Sequence, residues 1–335
     1  MQLQALPITL RECVSCRRCF DSTTQYCPDC YIELRSLDSI PRLIKSRYRL
    51  ETMIARGAYG MAFAGRDQVN WNGSQSGREI LVKIIRNSVI GDARVQEQFF
   101  QETERLAKLS HPQIHSLVDC GMLADDMVWM AYERVQAESL RQVIRRLGKI
   151  RIEEAVDMIA KIASALDIAH EAGLFHYDLK PECISVQFTP ALFRVHGVDM
   201  PPPPNIRLID FGMALLTGLR PVTGQKIVLL RAADRNPGTQ VYRSPGMLRG
   251  EESDRQMDVY SLGAIAWEML TGTPPPAHGD GMETATPALR DLTPEAHPLL
   301  EAAITKALDG KSWQRQATAA EFCRDLLRYT RIAAV

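Results

Sequence analysis

Lysine and arginine together number 40 and aspartate and glutamate 40, so this chain of 335 residues carries no net charge. That excludes bulk electrostatic attraction to nucleic acid or to an anionic membrane surface. Long apolar runs are missing too: the best stretch, 259–270, is interrupted by Ser261 and Glu268 and falls short of a bilayer span. The N-terminus has neither a basic n-region nor an apolar h-region, so no signal peptide is read and the cytoplasm is the expected location. A spread of paired cysteines is lacking as well. Of eight cysteines, only Cys120, Cys183 and Cys323 lie outside positions 13–30, and in a reducing compartment a clustered set reads as a metal site, not a disulfide framework. What remains, 45% hydrophobic and 24% charged residues, is the composition of a globular protein with room for one large domain or two smaller ones.

The cluster itself reads Cys13-x2-Cys16-x2-Cys19-Phe20, followed by Tyr26-Cys27-Pro28-Asp29-Cys30. Two C-x2-C turns can each offer two thiolates to one tetrahedral Zn²⁺. Cys13 and Cys16 with Cys27 and Cys30 leave room for a short hairpin between the pairs, and the set resembles a zinc ribbon. Cys19 is surplus or substitutes for Cys13. So few residues bury little core, and metal would supply the folding energy. The competing readings are a redox dithiol or an unstructured tail, and a redox motif usually sits beside a βαβ pattern, which is absent. We therefore place a metal-binding module at 1–33, a linker at 34–46, and a larger domain beyond.

That larger domain opens with a strand at Tyr48-Arg49-Leu50 and a glycine-containing turn, Gly57-Ala58-Tyr59-Gly60. Glycines let backbone N–H groups approach phosphates with no Cβ in the way. Glu79 to Ile85 is an apolar strand interrupted by Lys83, a cation that needs a partner. From about Val95 to Leu109 the spacing is helical, with Phe99, Glu102, Leu106 and Leu109 on one face, so Glu102 sits among apolar side chains and Lys83 is the natural counter-ion. Val128 to Tyr132 reads as another strand. A long amphipathic helix spans Ile152 to His170 and is stopped by Gly173. Then come His176-Tyr177-Asp178-Leu179-Lys180-Pro181-Glu182-Cys183, Asp210-Phe211-Gly212, and Gly238-Thr239-x2-Tyr242-x-Ser244-Pro245. Residues 185–205, with prolines at 201–204, read as a surface excursion, since a proline run cannot join a ladder. Asp258 to Met269 is apolar almost all round and belongs inside a core; Asp258 at its start is expected to cap it and to hold the backbone of segment 176–183. Further helices are expected at 294–309 and 318–329.

In this order these fragments resemble the eukaryotic-like serine/threonine protein kinases of bacteria, from about Tyr48 to Arg331. The resemblance implies an α+β, bilobal protein-kinase-like fold over 47–331. A small β-rich N-lobe with one helix would run to about 132, a hinge over 133–135, and a larger helical C-lobe from about 136. It implies ATP with Mg²⁺ or Mn²⁺ as cofactors, beside Zn²⁺ in the ribbon, and protein Ser/Thr hydroxyls as acceptors. Nucleotide contacts would come from Ile54, Ala55, Gly57, Ala58, Tyr59, Gly60, Ala62, Leu81, Lys83, Glu102, Glu133, Val135 and the metal ligand Asp210. Asp178 would receive the acceptor hydroxyl, Lys180 steady the γ-phosphate and Thr239 bond both. Tyr132 falls at the gatekeeper position.

Departures from the family pattern are as informative as the matches. Ala55 and Ala62 replace a glycine and a valine of the loop, and Leu81 replaces an alanine beneath the adenine. Tyr177 stands for the arginine that reads a phosphorylated activation loop. Cys183 stands for the asparagine that holds a second Mg²⁺, and sulfur is a poor ligand for that cation. Gly246 stands for a glutamate whose arginine partner is Arg315, which predicts a less rigid lobe. Thr217 and Thr223 are candidate phosphoacceptors. The departures motivate a second reading, a pseudokinase serving as nucleotide-binding scaffold. The ribbon implies a protein partner that the sequence does not name.

Overall fold

The structure is a computed structural model and describes residues 9–57, 60–69, 77–85, 93–123, 127–188, 193–195, 198–200, 203–216, 237–249, 254–276 and 287–333. The chain divides into two units, Met1–Glu97 with Ser116–Val135, and Gln98–His115 with Gln136–Val335.

In the first unit, β1 (Thr9–Glu12), β2 (Cys19–Asp21) and β3 (Arg35–Pro41) form an antiparallel sheet of order β2-β1-β3. A second antiparallel sheet holds β4 (Leu43–Ile44), β5 (Tyr48–Arg56), β6 (Gly60–Asp67), β7 (Arg78–Ile85), β8 (Leu117–Met122) and β9 (Val128–Glu133), in the order β4-β5-β6-β7-β9-β8. Side chains of a strand alternate between faces. In β7, Ile80, Val82 and Ile84 are fully buried, while Leu81 and Lys83 share the other, partly exposed face.

The two sheets share one core. Leu10, Cys19, Leu37 and Ile40 of the small sheet pack in a cluster with Tyr48, Leu50, Met53, Phe63 and Trp129 of the large one. Segment 34–46 is therefore not a linker: β3 pairs with β1, and β4 with β5. Its apolar positions, Leu37, Ile40 and Ile44, are buried among charged neighbours that mask the pattern. Pro41 is accommodated because β3 is an edge strand.

Helix α1 (Ala93–Lys108) buries Val95, Phe99, Glu102 and Leu106 at helical spacing. In the second unit, β10 (Glu138–Ser139), β11 (Ile184–Gln187) and β14 (Asn205–Leu208) form a three-stranded sheet, and β12 (Phe193–Val195) pairs with β13 (Val198–Met200) in the excursion between β11 and β14. The helices are α2 (Leu140–Leu147), α3 (Ile152–Glu171), the short α4 (Met213–Leu216), α5 (Pro237–Gln240) and α6 (Pro245–Arg249), then α7 (Arg255–Thr271), α8 (Leu289–Leu292), α9 (Pro298–Ala307) and α10 (Ala319–Ala333). Helix α2 starts with a capping box, Ser139 with Gln142. Gly173, two residues past α3, has φ +71°, a turn conformation that side-chain-bearing residues rarely adopt. Helix α7 is buried on every side from Met257 to Thr271 and packs on α3, α9 and α10. Its cap is Asp254, whose side chain accepts from Gln256 N–H. Asp258 lies inside the helix, free of the capping role expected for it.

Candidate active site and cysteine centre

Segment 176–183 has almost no regular structure of its own, so its backbone needs partners from elsewhere. Asp258 supplies them. Fully buried, its Oδ2 accepts from His176 N–H at 2.8 Å and its Oδ1 from Tyr177 N–H at 2.9 Å. His170 Nε2 lies 2.8 Å from the same Oδ2. Burial alone would raise the pKa of this carboxyl, but the His170 bond and the other donors outweigh it and hold it below the ordinary carboxylate range. The segment can then afford strain: Tyr177 has φ +61°. Its side chain packs with Ala214, Met247 and Met257 instead of presenting a cation. His176 Nε2 sits 2.9 Å from the Ile209 carbonyl oxygen, and its ring lies against that of Phe211.

Asp178, two residues on, directs its carboxylate at two cations. Lys180 Nζ donates to Oδ2. Arg243 donates to Oδ1 through Nη2 at 2.9 Å and Nε at 3.3 Å. Burial works to lower the Lys180 pKa, but Cys183 and Asp178 more than offset it, so the ammonium stays charged. Residues Pro181–Cys183 form one 3-10 turn, in which Cys183 Sγ donates to the Asp178 carbonyl at 3.4 Å. The thiol thus closes the loop but offers no oxygen to a cation. Asp210 follows β14 with φ +73°, Phe211 is buried, and Gly212 has φ +80°. Thr239 lies in α5, at the start of the stretch that carries Arg243.

In the first unit, Gly57 and Gly60 close the turn between β5 and β6 through Gly57 N–H to Gly60 C=O at 2.8 Å. A Cβ at Gly60 would collide with the Ile84 carbonyl of the paired strand, so glycine is required there. Ile54 and Ala55 are exposed on β5, and Ala55 pairs with Ala62. Ala62 in turn pairs with Lys83, and Leu81 with Tyr132, whose ring is buried. Glu133 ends β9 in an ion pair with Arg78 at 3.0 Å; Val135 follows in an irregular stretch. Ala58 and Tyr59 lie outside the described residues, as do Thr217 and Thr223. Lys83 belongs to the first unit. Glu102, buried and accepting from Gln98 Nε2 at 3.1 Å, belongs to the second.

The sulfur atoms of Cys13, Cys16, Cys27 and Cys30 all lie within 4.8 Å of one another. Cys16 Sγ and Cys27 Sγ are 3.7 Å apart. A tetrahedron with Zn–S bonds of about 2.3 Å has edges of about 3.8 Å, so the spacing suits that ion. Burial would raise the Cys13 pKa, but the Cys16 and Ser15 backbone N–H groups and the neighbouring thiols bring it down to about 7. Burial pushes Cys16 up to about 12. Cys19 is placed differently. It is buried in the core shared by the two sheets, with its thiol 3.8 Å from the Arg17 carbonyl. Burial, and then the Glu12 charge, raises its pKa to about 12.

The chain matches the protein kinase domain family over residues 48–332. It belongs to that family. A probable serine/threonine-protein kinase of Corynebacterium efficiens is 30% identical over 300 residues, covering 85% of this chain and 41% of its own. Serine/threonine-protein kinase PknA of Mycobacterium tuberculosis is 30% identical over 276 residues, covering 78% of this chain and 57% of its own. The chain thus spans roughly half the length of the curated relatives it matches. The crystal structure of the Mycobacterium tuberculosis PknI kinase domain shares the fold, with a TM-score of 0.64 at 22% identity, over 88% of this chain and 100% of that one.

Within this kinase-family domain, three contacts were not anticipated from the sequence. Arg243 occupies the position passed over between Tyr242 and Ser244. Arg141 of α2 bridges Glu182, Glu268 and the Tyr242 hydroxyl, tying the 181–183 turn to α7. Arg315 donates to the carbonyls of Asp309, Gln256 and Gly310 and stacks on the Tyr260 ring, so carbonyl oxygens surround the cation whose glutamate partner Gly246 replaces.

Proposed function

We propose that the chain is a serine/threonine protein kinase that transfers the γ-phosphoryl group of ATP to protein hydroxyls. The observation that carries this reading is the Asp178 carboxylate, set by Asp258 on a strained loop with Lys180 at its side. In phosphoryl transfer the protein's work is largely positioning and charge neutralisation, and this arrangement can do both. Asp178 orients the acceptor hydroxyl and accepts its proton, and Lys180 offsets charge on the transferring group. Asp210 would hold Mg²⁺ on the nucleotide phosphates, and Lys83 would contact those phosphates. The cation supplies charge stabilisation. The set is short of one oxygen, because the Cys183 thiol is spent on a backbone carbonyl. That favours a slower enzyme and keeps the pseudokinase reading as the alternative.

Cys13, Cys16, Cys27 and Cys30 would hold one Zn²⁺ as a closed, structural site. The small sheet they staple braces β5: Met53 N–H donates to the Arg17 carbonyl at 2.9 Å, and Arg56 pairs with Glu12 at 3.0 Å. No helix among the described residues is long and apolar enough to cross a membrane. Labelled γ-phosphate should pass from ATP to the chain itself or to a generic Ser/Thr-containing protein, and Asp178→Asn should abolish it. Transfer that persists in that variant would remove Asp178 from its role.

A further inference from the structure

Arg243 is a buried cation, 4% exposed, and its target is the carboxylate that must receive the acceptor. Both oxygens of Asp178 are therefore engaged, Oδ1 by the Arg243 fork and Oδ2 by Lys180. An acceptor hydroxyl has to come within about 2.6–3.2 Å of one of these oxygens. It then arrives beside the guanidinium, with the rest of its segment within that side chain's reach.

The backbone that carries Arg243 is pinned. Arg243 N–H donates to the Gln240 carbonyl at 2.9 Å, Ser261 Oγ donates to the Tyr242 carbonyl at 2.7 Å, and Leu248 N–H donates to the Ser244 carbonyl at 3.0 Å. Only the side chain is left to move. A buried guanidinium that leaves its anion unreplaced is strongly disfavoured. It leaves readily when a second anion takes over, and the planar fork of arginine suits a carboxylate or a phosphate.

We infer that Arg243 is a specificity-determining residue: it latches Asp178 until an acceptor segment brings its own anion beside the acceptor hydroxyl. The preferred substrate class is then Ser or Thr flanked by Asp, Glu or a phosphorylated residue. Release is an exchange of ion pairs: the guanidinium's hydrogen bonds to Asp178 Oδ1 give way to equivalent bonds to the incoming anion, and no covalent bond changes. The inference rests on the reading of Asp178 as the acceptor carboxylate.

The test uses the full chain and two peptides that differ only in Glu or Gln beside one serine. Both kcat/KM and peptide affinity by fluorescence anisotropy are measured for the wild type, Arg243→Met and Arg243→Lys. The wild type should favour the Glu peptide by roughly tenfold or more in both quantities. Arg243→Met should gain on the Gln peptide and lose the preference, and Arg243→Lys should keep part of it. Equal use of the two peptides by the wild type would overturn the inference, as would a preference unchanged in Arg243→Met. If no variant transfers phosphate yet binding of the Glu peptide still depends on Arg243, the anion latch stands and the kinase reading falls.

Discussion

The four-cysteine corner of the first unit and the catalytic loop of the second are both short, poor in regular structure and arranged around charge. They obtain their order from opposite sources. The cysteine corner gathers four sulfurs within 4.8 Å of one another, an arrangement that deprotonation turns into mutual repulsion unless a cation joins them. The catalytic loop carries its organiser within the chain, the buried carboxylate of Asp258. One region should answer to metal and the other to acid, and the contrast can be broken at either end.

The largest effect is expected from the metal. Isolated zinc modules draw about 10–16 kcal/mol from the ion. Chelation, or Cys13→Ser with Cys27→Ser, should open the small sheet, and hydrogen exchange should show loss of protection over 10–41 while α3 and α7 keep theirs. One zinc per chain is expected by elemental analysis. Protection that is the same with and without chelator would end the comparison.

Next in size is Asp258→Ala, which strips two backbone N–H groups and His170 of their acceptor. A cost of about 3–5 kcal/mol is expected in denaturant unfolding, with loss of transfer. The pKa of Asp258 is depressed below 3.8, so its contribution is complete above that value and is lost as pH falls through the folded-state pKa. The stability gap between wild type and variant should therefore hold at neutral pH and narrow below about pH 4. A gap that widens in acid would mean that Asp258 is not the anchor.

Much of this was legible in the sequence, and what was missed has a common cause. The fragments that carry the family resemblance stand out because their spacing is local: 176–183 and 210–212 can be read in one pass. So can the two C-x2-C pairs. The bilobal α+β architecture followed from the order of those fragments, and the family match extends over 48–332. Segment 34–46 misled because Arg35, Asp38, Pro41 and Arg42 dress a strand as a linker, and only its pairing with β1 reveals Leu37 and Ile40 as core. The fate of Cys19 was equally nonlocal, decided by strands that pack over it. Asp258 was read as a cap because it opens an apolar run, whereas Asp254, four residues earlier, performs that role. Arg243 was invisible for a different reason: a variable position between two fixed ones gives no sign of which carboxylate lies beneath it.

The smallest expected effect bears on the central claim, that the catalytic loop is complete except for one metal oxygen. The direct measurement is Mg²⁺ dependence of phosphoryl transfer in zinc-loaded wild type and Cys183→Asn. The wild type should transfer, and the variant should need roughly tenfold less Mg²⁺ for half-maximal rate, since an amide oxygen replaces a sulfur. No transfer by either protein at any Mg²⁺ concentration, or identical Mg²⁺ dependence in two active proteins, would contradict the account.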